Sequence, residues 1–129
     1  MGAGADYPNR VTITEVEGFA DLGMFREAWE AMEELPPDHR TDPHALRIRL
    51  RCCPPVGAWD IGEHVAGLLR DGERLDKACA AGFYHANARR LLETGNRQGA
   101  ADNIKAAVAT FPECREIILL DPELAAEFF

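Results

Sequence analysis

Hydrophobic residues recur along this chain at intervals of three and four, and glycines and prolines punctuate the runs. Strand-type alternation occurs in one stretch, "RVTITEV" at Arg10–Val16. There Val11, Glu15, Gly18, Phe19 and Leu22 carry on with helical spacing, so the segment reads as a first helix. Phe25, Ala28, Trp29, Met32 and Leu35 fall on one face of a second, expected to end at Pro36-Pro37. Asp42 is the expected N-cap of a third, with Pro43 at its first position, Leu46, Leu50 and Cys53 as its apolar stripe, and Pro54-Pro55 as its end. Trp59, Gly62, Ala66 and Leu69, beside Ile61, Val65 and Leu68, predict a fourth helix that stops near Asp71-Gly72. A longer fifth is predicted from about Leu75 to Thr94 and is ended by Gly95; Ala100, Ile104, Ala107, Val108 and Phe111 mark a sixth, closed by Pro112. "ECREIILL" and "DPELAAEFF" read as two short terminal helices, the second capped by Asp121 with Pro122 at its first position.

Short connections make these helices antiparallel pairs. Gly23, Gly57 and Gly95 each fall between the two members of a pair, 34 and 38 residues apart. Five residues past each glycine stands a small residue (Ala28, Gly62, Ala100), nine past stand Met32, Ala66 and Ile104, and twelve past stand Leu35, Leu69 and Ala107. Small residues let paired helices approach, while larger ones lock one pair onto the next.

"LGMFREAWEAM" resembles the tetratricopeptide repeat family in its Gly, aromatic and Glu-Ala offsets, and "LLDPELAAEF" is similar to the ending of bacterial members. The resemblance spans roughly residues 9–129, and is strongest at 17–36 and 83–128. It departs where Arg49 and the proline pair stand in the second repeat, and where Arg97 replaces an aromatic. It implies an all-α, right-handed α-α superhelix of three helix pairs plus short C-terminal helices. Residues 1–8 would be a loose terminus before a single repeat domain over 9–129.

The length fits one domain, and a composition of 47% hydrophobic and 28% charged residues is that of a folded, soluble protein. A net charge of −8 argues against general affinity for nucleic acid, which needs a local excess of Lys and Arg. No apolar run reaches membrane-spanning length, the N-terminus lacks a signal-peptide layout, and Asp6 stands where a myristoylation signal wants Ser or Thr. The expected location is the cytoplasm. Cys52, Cys53, Cys79 and Cys114 lack zinc-knuckle spacing and read as small buried thiols. His39, His44, His64 and His85 contain no helical i, i+4 zinc pair, and no metal or other cofactor is expected. The chain has no serine, phosphate loop or dinucleotide fingerprint, so no enzymatic role is expected.

The family resemblance implies partner binding on a concave face built by the first helix of each pair. Its inward positions would be Arg10, Ile13 and Glu17, then His44, Arg47 and Arg51, then His85, Arg89 and Leu92. Helical spacing independently puts 40, 44, 47 and 51 on one face, and 85 and 89 on another. Arginine forks suit carboxylates, so a protein partner offering an acidic peptide or C-terminal carboxylate is the expected ligand of a non-catalytic adaptor. The chaperone-binding variant of such grooves adds lysines and asparagines where Ile13 and Glu17 stand here, and Asn87 sits off the inner face. Two alternatives stay open. The charges are solvated helix faces paired with the protein's own Asp and Glu, or the stack self-associates as a homodimer through apolar surfaces such as Phe128 and Phe129.

Overall fold

The computed structural model describes residues 11–129; the loose terminus expected over residues 1–8, and the candidate Arg10, lie outside the described residues. Among these the chain forms eight α-helices and no strand: α1 (Ile13–Asp21), α2 (Phe25–Met32), α3 (Pro43–Val56), α4 (Trp59–Leu69), α5 (Arg74–Glu93), α6 (Arg97–Thr110), α7 (Cys114–Leu119) and α8 (Pro122–Phe128). The fold class is all-α. "RVTITEV" enters a helix, and Thr12 caps it by accepting the Glu15 N–H.

The three spacing glycines each turn one helix into its antiparallel partner by the same hydrogen-bond pattern. Gly23, Gly57 and Gly95 are the positive-φ residues of the described chain, at 78°, 78° and 87°. At each, the glycine N–H donates to the carbonyl three residues back (Ala20, Pro54, Leu92), and the next N–H donates to the carbonyl five back (Phe19, Cys53, Leu91). This double closure satisfies the last carbonyls of a helix only with a left-handed residue at the turn, where a Cβ is strained.

Beyond each turn the aligned positions are buried without exception: Ala28, Gly62 and Ala100; Met32, Ala66 and Ile104; Leu35, Leu69 and Ala107. Besides the contacts within pairs, α1 packs on α3 and α3 on α5, while α2 meets α3 and α4 meets α5. The third helix is thus covered from both sides. Ala45, Ile48 and Cys52 join a core with Val16, Ala28 and Met32; Leu50 and Cys53 join a second core with Ala66, Phe83 and Ile118.

Gly62 shows why the position five past the turn is small. A methyl group there collides with the Phe83 ring, whose Cζ would lie 2.6 Å away. That ring packs between Trp59 and Tyr84, with centroids 6.0 and 6.2 Å off, and moving it disturbs both contacts. Overpacking of about 1–3 kcal/mol outweighs the roughly 1 kcal/mol of helix propensity that Ala brings. Gly62→Ala is therefore expected to lower the urea midpoint, and a raised midpoint would contradict this packing.

Two expected boundaries are corrected. The second helix ends at Met32, and Glu33 and Glu34 leave it through turns before Pro36 is reached. Pro54 and Pro55 do not end α3, which runs through both to Val56 and stops at Gly57. A proline in the last turn keeps a helical φ, loses the bond to the carbonyl four residues earlier and crowds that carbonyl with its ring, and few later turns are left to be disturbed.

Candidate functional site

The helices α1, α3 and α5 present one row of charged side chains, and it contains most of the candidate residues. His44 Nε2 lies 3.1 Å from Glu17 Oε2, joining α3 to α1. Arg51 NH2 donates to Asp21 Oδ1 at 2.9 Å across the same boundary. Arg47 NH1 donates to Asp76 Oδ1 at 2.5 Å, joining α3 to α5. Arg89 NH1 donates to Asp121 Oδ2 at 2.6 Å, joining α5 to the cap of α8. His85 Nε2 is 3.7 Å from the same carboxylate, too far for a hydrogen bond. The candidates Glu17, His44, Arg47, Arg51, His85 and Arg89 therefore each face a charged or titratable group of the chain itself. Ile13 and Leu92, placed inward by the family resemblance, pack against the cores instead.

These pairs are not equivalent. Asp76 is 5% exposed and Arg47 23%, so this pair is largely out of water and each member needs the other. Asp121 is buried too, and although Arg89 is itself 47% exposed, that carboxylate depends on it for its charge partner. Arg51 and Asp21 are 39% and 61% exposed, a solvated pair of the kind that contributes ~0–1 kcal/mol. Arg47 and Arg89 hold helices together, whereas Arg51 is exchangeable.

Asp121 is the hub of the terminal contact. Burial pushes its carboxyl up, but the Leu124 N–H and the Arg89 guanidinium outweigh burial, and its pKa falls below the ordinary aspartate value. A depressed folded pKa means that the ionised form stabilises the fold above the unfolded value of about 3.9, and that this contribution disappears as pH falls through the folded one. Asp121→Asn is expected to be roughly 1–2 kcal/mol less stable than wild type at pH 7. Urea unfolding from pH 7 down to strongly acid pH should show that gap closing below about pH 4. A gap independent of pH would show that the carboxylate charge contributes nothing.

Beside Arg51 a cavity of about 320 Å³ opens between α2, α3 and α5, lined by Phe25, Leu50, Pro54, Cys79, Gly82 and Phe83 as well as the arginine. Gly82 leaves it open, since a Cβ built there meets nothing within 4 Å. The cavity and Gly82 escaped the sequence reading, although Gly82 stands midway between Cys79 and His85 on one helix.

The four cysteines are free thiols. Burial pushes Cys53 up to about 11, and raises Cys52, Cys79 and Cys114 against the lowering pull of nearby arginines where these are close. Such thiols are poor nucleophiles at neutral pH. Among the described residues no three His, Cys, Asp or Glu side chains converge as metal ligands, and no helix is long and apolar enough to cross a membrane.

Both tryptophans are half-buried against the core, each beneath an arginine of the following pair. The Arg49 guanidinium carbon sits 4.8 Å from the Trp29 ring and that of Arg90 4.7 Å from the Trp59 ring. Arg97, where an aromatic was expected, covers Phe128 and pairs with Glu127. Asn87 is fully buried between α5 and α6. No family model, curated protein or solved structure matches the chain.

Proposed function

We propose that this chain is a tetratricopeptide-like, right-handed superhelical stack of three helix pairs that works in the cytoplasm as a non-catalytic adaptor for a partner protein. The architecture is supported by three identical glycine turns, by buried residues at every aligned offset, and by contact between successive first helices. The observation that carries the binding role is the open cavity between α2, α3 and α5, beside an exchangeable arginine. The raised thiols favour a reducing compartment and a protein without a nucleophilic cysteine.

The ion pairs sharpen the ligand class. Since Arg47 and Arg89 are engaged by Asp76 and Asp121, a broad basic groove for polyacidic peptides is disfavoured, and recognition concentrates at Arg51. Panning a random-peptide display library on the immobilised protein tests the role. Enriched peptides that bind in solution support it, and the absence of enrichment opposes it.

A second reading draws on Ile117, Leu120 and Phe129, which are exposed on and beside α7 and α8. Apolar surface at the end of a helical stack suits a homodimer. Sedimentation at micromolar concentration separates the two: a 14.2 kDa species opposes the dimer.

A further inference from the structure

We infer that the cavity beside Gly82 is an anchor pocket for a peptide, holding one aliphatic or aromatic side chain whose neighbouring residue gives its carboxylate to Arg51. The inference rests on the adaptor reading and specifies its ligand. Two features of the pocket select that chemistry.

Its walls are apolar, from Phe25 on α2, Leu50 and Pro54 on α3 and Phe83 on α5. At about 320 Å³ it stands at the small end of ligand pockets, sized for a side chain and not for a cofactor. Arg51 is the charged residue of the lining, and its present partner Asp21 is well solvated, so a ligand carboxylate replaces Asp21 at little cost. The net charge of −8 repels a strongly acidic segment, so a single carboxylate beside an apolar residue is the better match.

An apolar side chain and a carboxylate on neighbouring residues together describe a peptide.

Peptides enriched on the wild-type protein serve as the probe. They are expected to share an apolar residue next to Asp or Glu. The synthetic form should bind Gly82→Leu, whose side chain fills the cavity, at least about tenfold more weakly, and Arg51→Gln roughly three- to tenfold more weakly. Gly82→Leu is expected to melt no lower than wild type, since Gly82 faces open space and Leu is the better helix former, and Arg51→Gln to melt like wild type, since Arg51 is in a solvated pair. Equal affinity for wild type and Gly82→Leu overturns the anchor pocket and leaves the adaptor role standing, whereas failure to enrich any peptide overturns both. A wild-type dimer that Gly82→Leu dissolves overturns the inference by assigning the cavity to a second copy. Should Gly82→Leu unfold, the Arg51→Gln variant and an Asp→Asn peptide decide, and unchanged affinity in both overturns it.

Discussion

Asn87→Ala is expected to lower the stability of the protein by about 2–4 kcal/mol, a drop in melting temperature on the order of 10 °C. The Asn87 side chain is 0% exposed, and it ties three elements together. Its Nδ2 donates to Asn103 Oδ1 at 3.1 Å, crossing from α5 to α6. Its Oδ1 accepts from Arg90 Nε at 3.1 Å and from Arg90 NH2 at 2.8 Å. That grip holds the guanidinium over Trp59 of α4. Alanine leaves the Asn103 carbonyl and two guanidinium donors without partners and opens a hole the size of an amide. Asn103 cannot simply turn to compensate, because its own Nδ2 is donating to the Gly99 carbonyl at 2.9 Å. Thermal and urea unfolding measure the loss. A change below about 1 kcal/mol would mean that water replaces the network at no cost.

Asp76→Ala is expected to cost a similar amount, about 2–4 kcal/mol. The carboxylate does two jobs at the start of α5. One oxygen accepts from Arg47 and the other accepts the Glu73 N–H at 2.9 Å, as the reciprocal half of a capping box. Losing it strands a guanidinium that is only 23% exposed and frees a helix-terminal donor. Because Arg47 keeps some access to water, the cost falls short of the largest values seen for buried pairs. The double replacement Arg47→Met, Asp76→Leu is expected to recover the ion-pair part of the loss, since removing both charges also removes their desolvation, while the lost cap on the Glu73 N–H remains. Losses that simply add would contradict a coupled pair.

Replacing Arg47, Arg51 and Arg89 together by alanine would loosen the α3–α5 and α5–α8 contacts, and lost binding would then report lost structure. Arg51 is the member that can be changed with the fold intact.

The helical pairing was legible because the physical demand at each turn is local. A left-handed residue there calls for glycine, and the burial periodicity that follows needs only the 3.6-residue repeat. Pro54-Pro55 misled as a stop, since the pair is tolerated in the last turn and the turn itself is made by Gly57. The acidic partners of the candidate bases were legible in part. Asp21 follows Glu17 by one helical turn, so both acids belong on the face that meets α3. Asp121 reaches Arg89 only because α7 and α8 fold back over α5, which no local pattern encodes. The cavity is harder still. It exists because a glycine on α5 and a proline on α3 face a common gap beside Phe25, a coincidence of three elements that has no periodic trace in the chain.

The most direct test of the account is amide chemical-shift mapping of the labelled protein titrated with its best-enriched peptide. The account predicts that the largest shifts fall at Leu50, Arg51, Cys79, Gly82 and Phe83, and vanish in Gly82→Leu. Shifts concentrated on α7 and α8, or spread over the outer surfaces of α2 and α4, would contradict it.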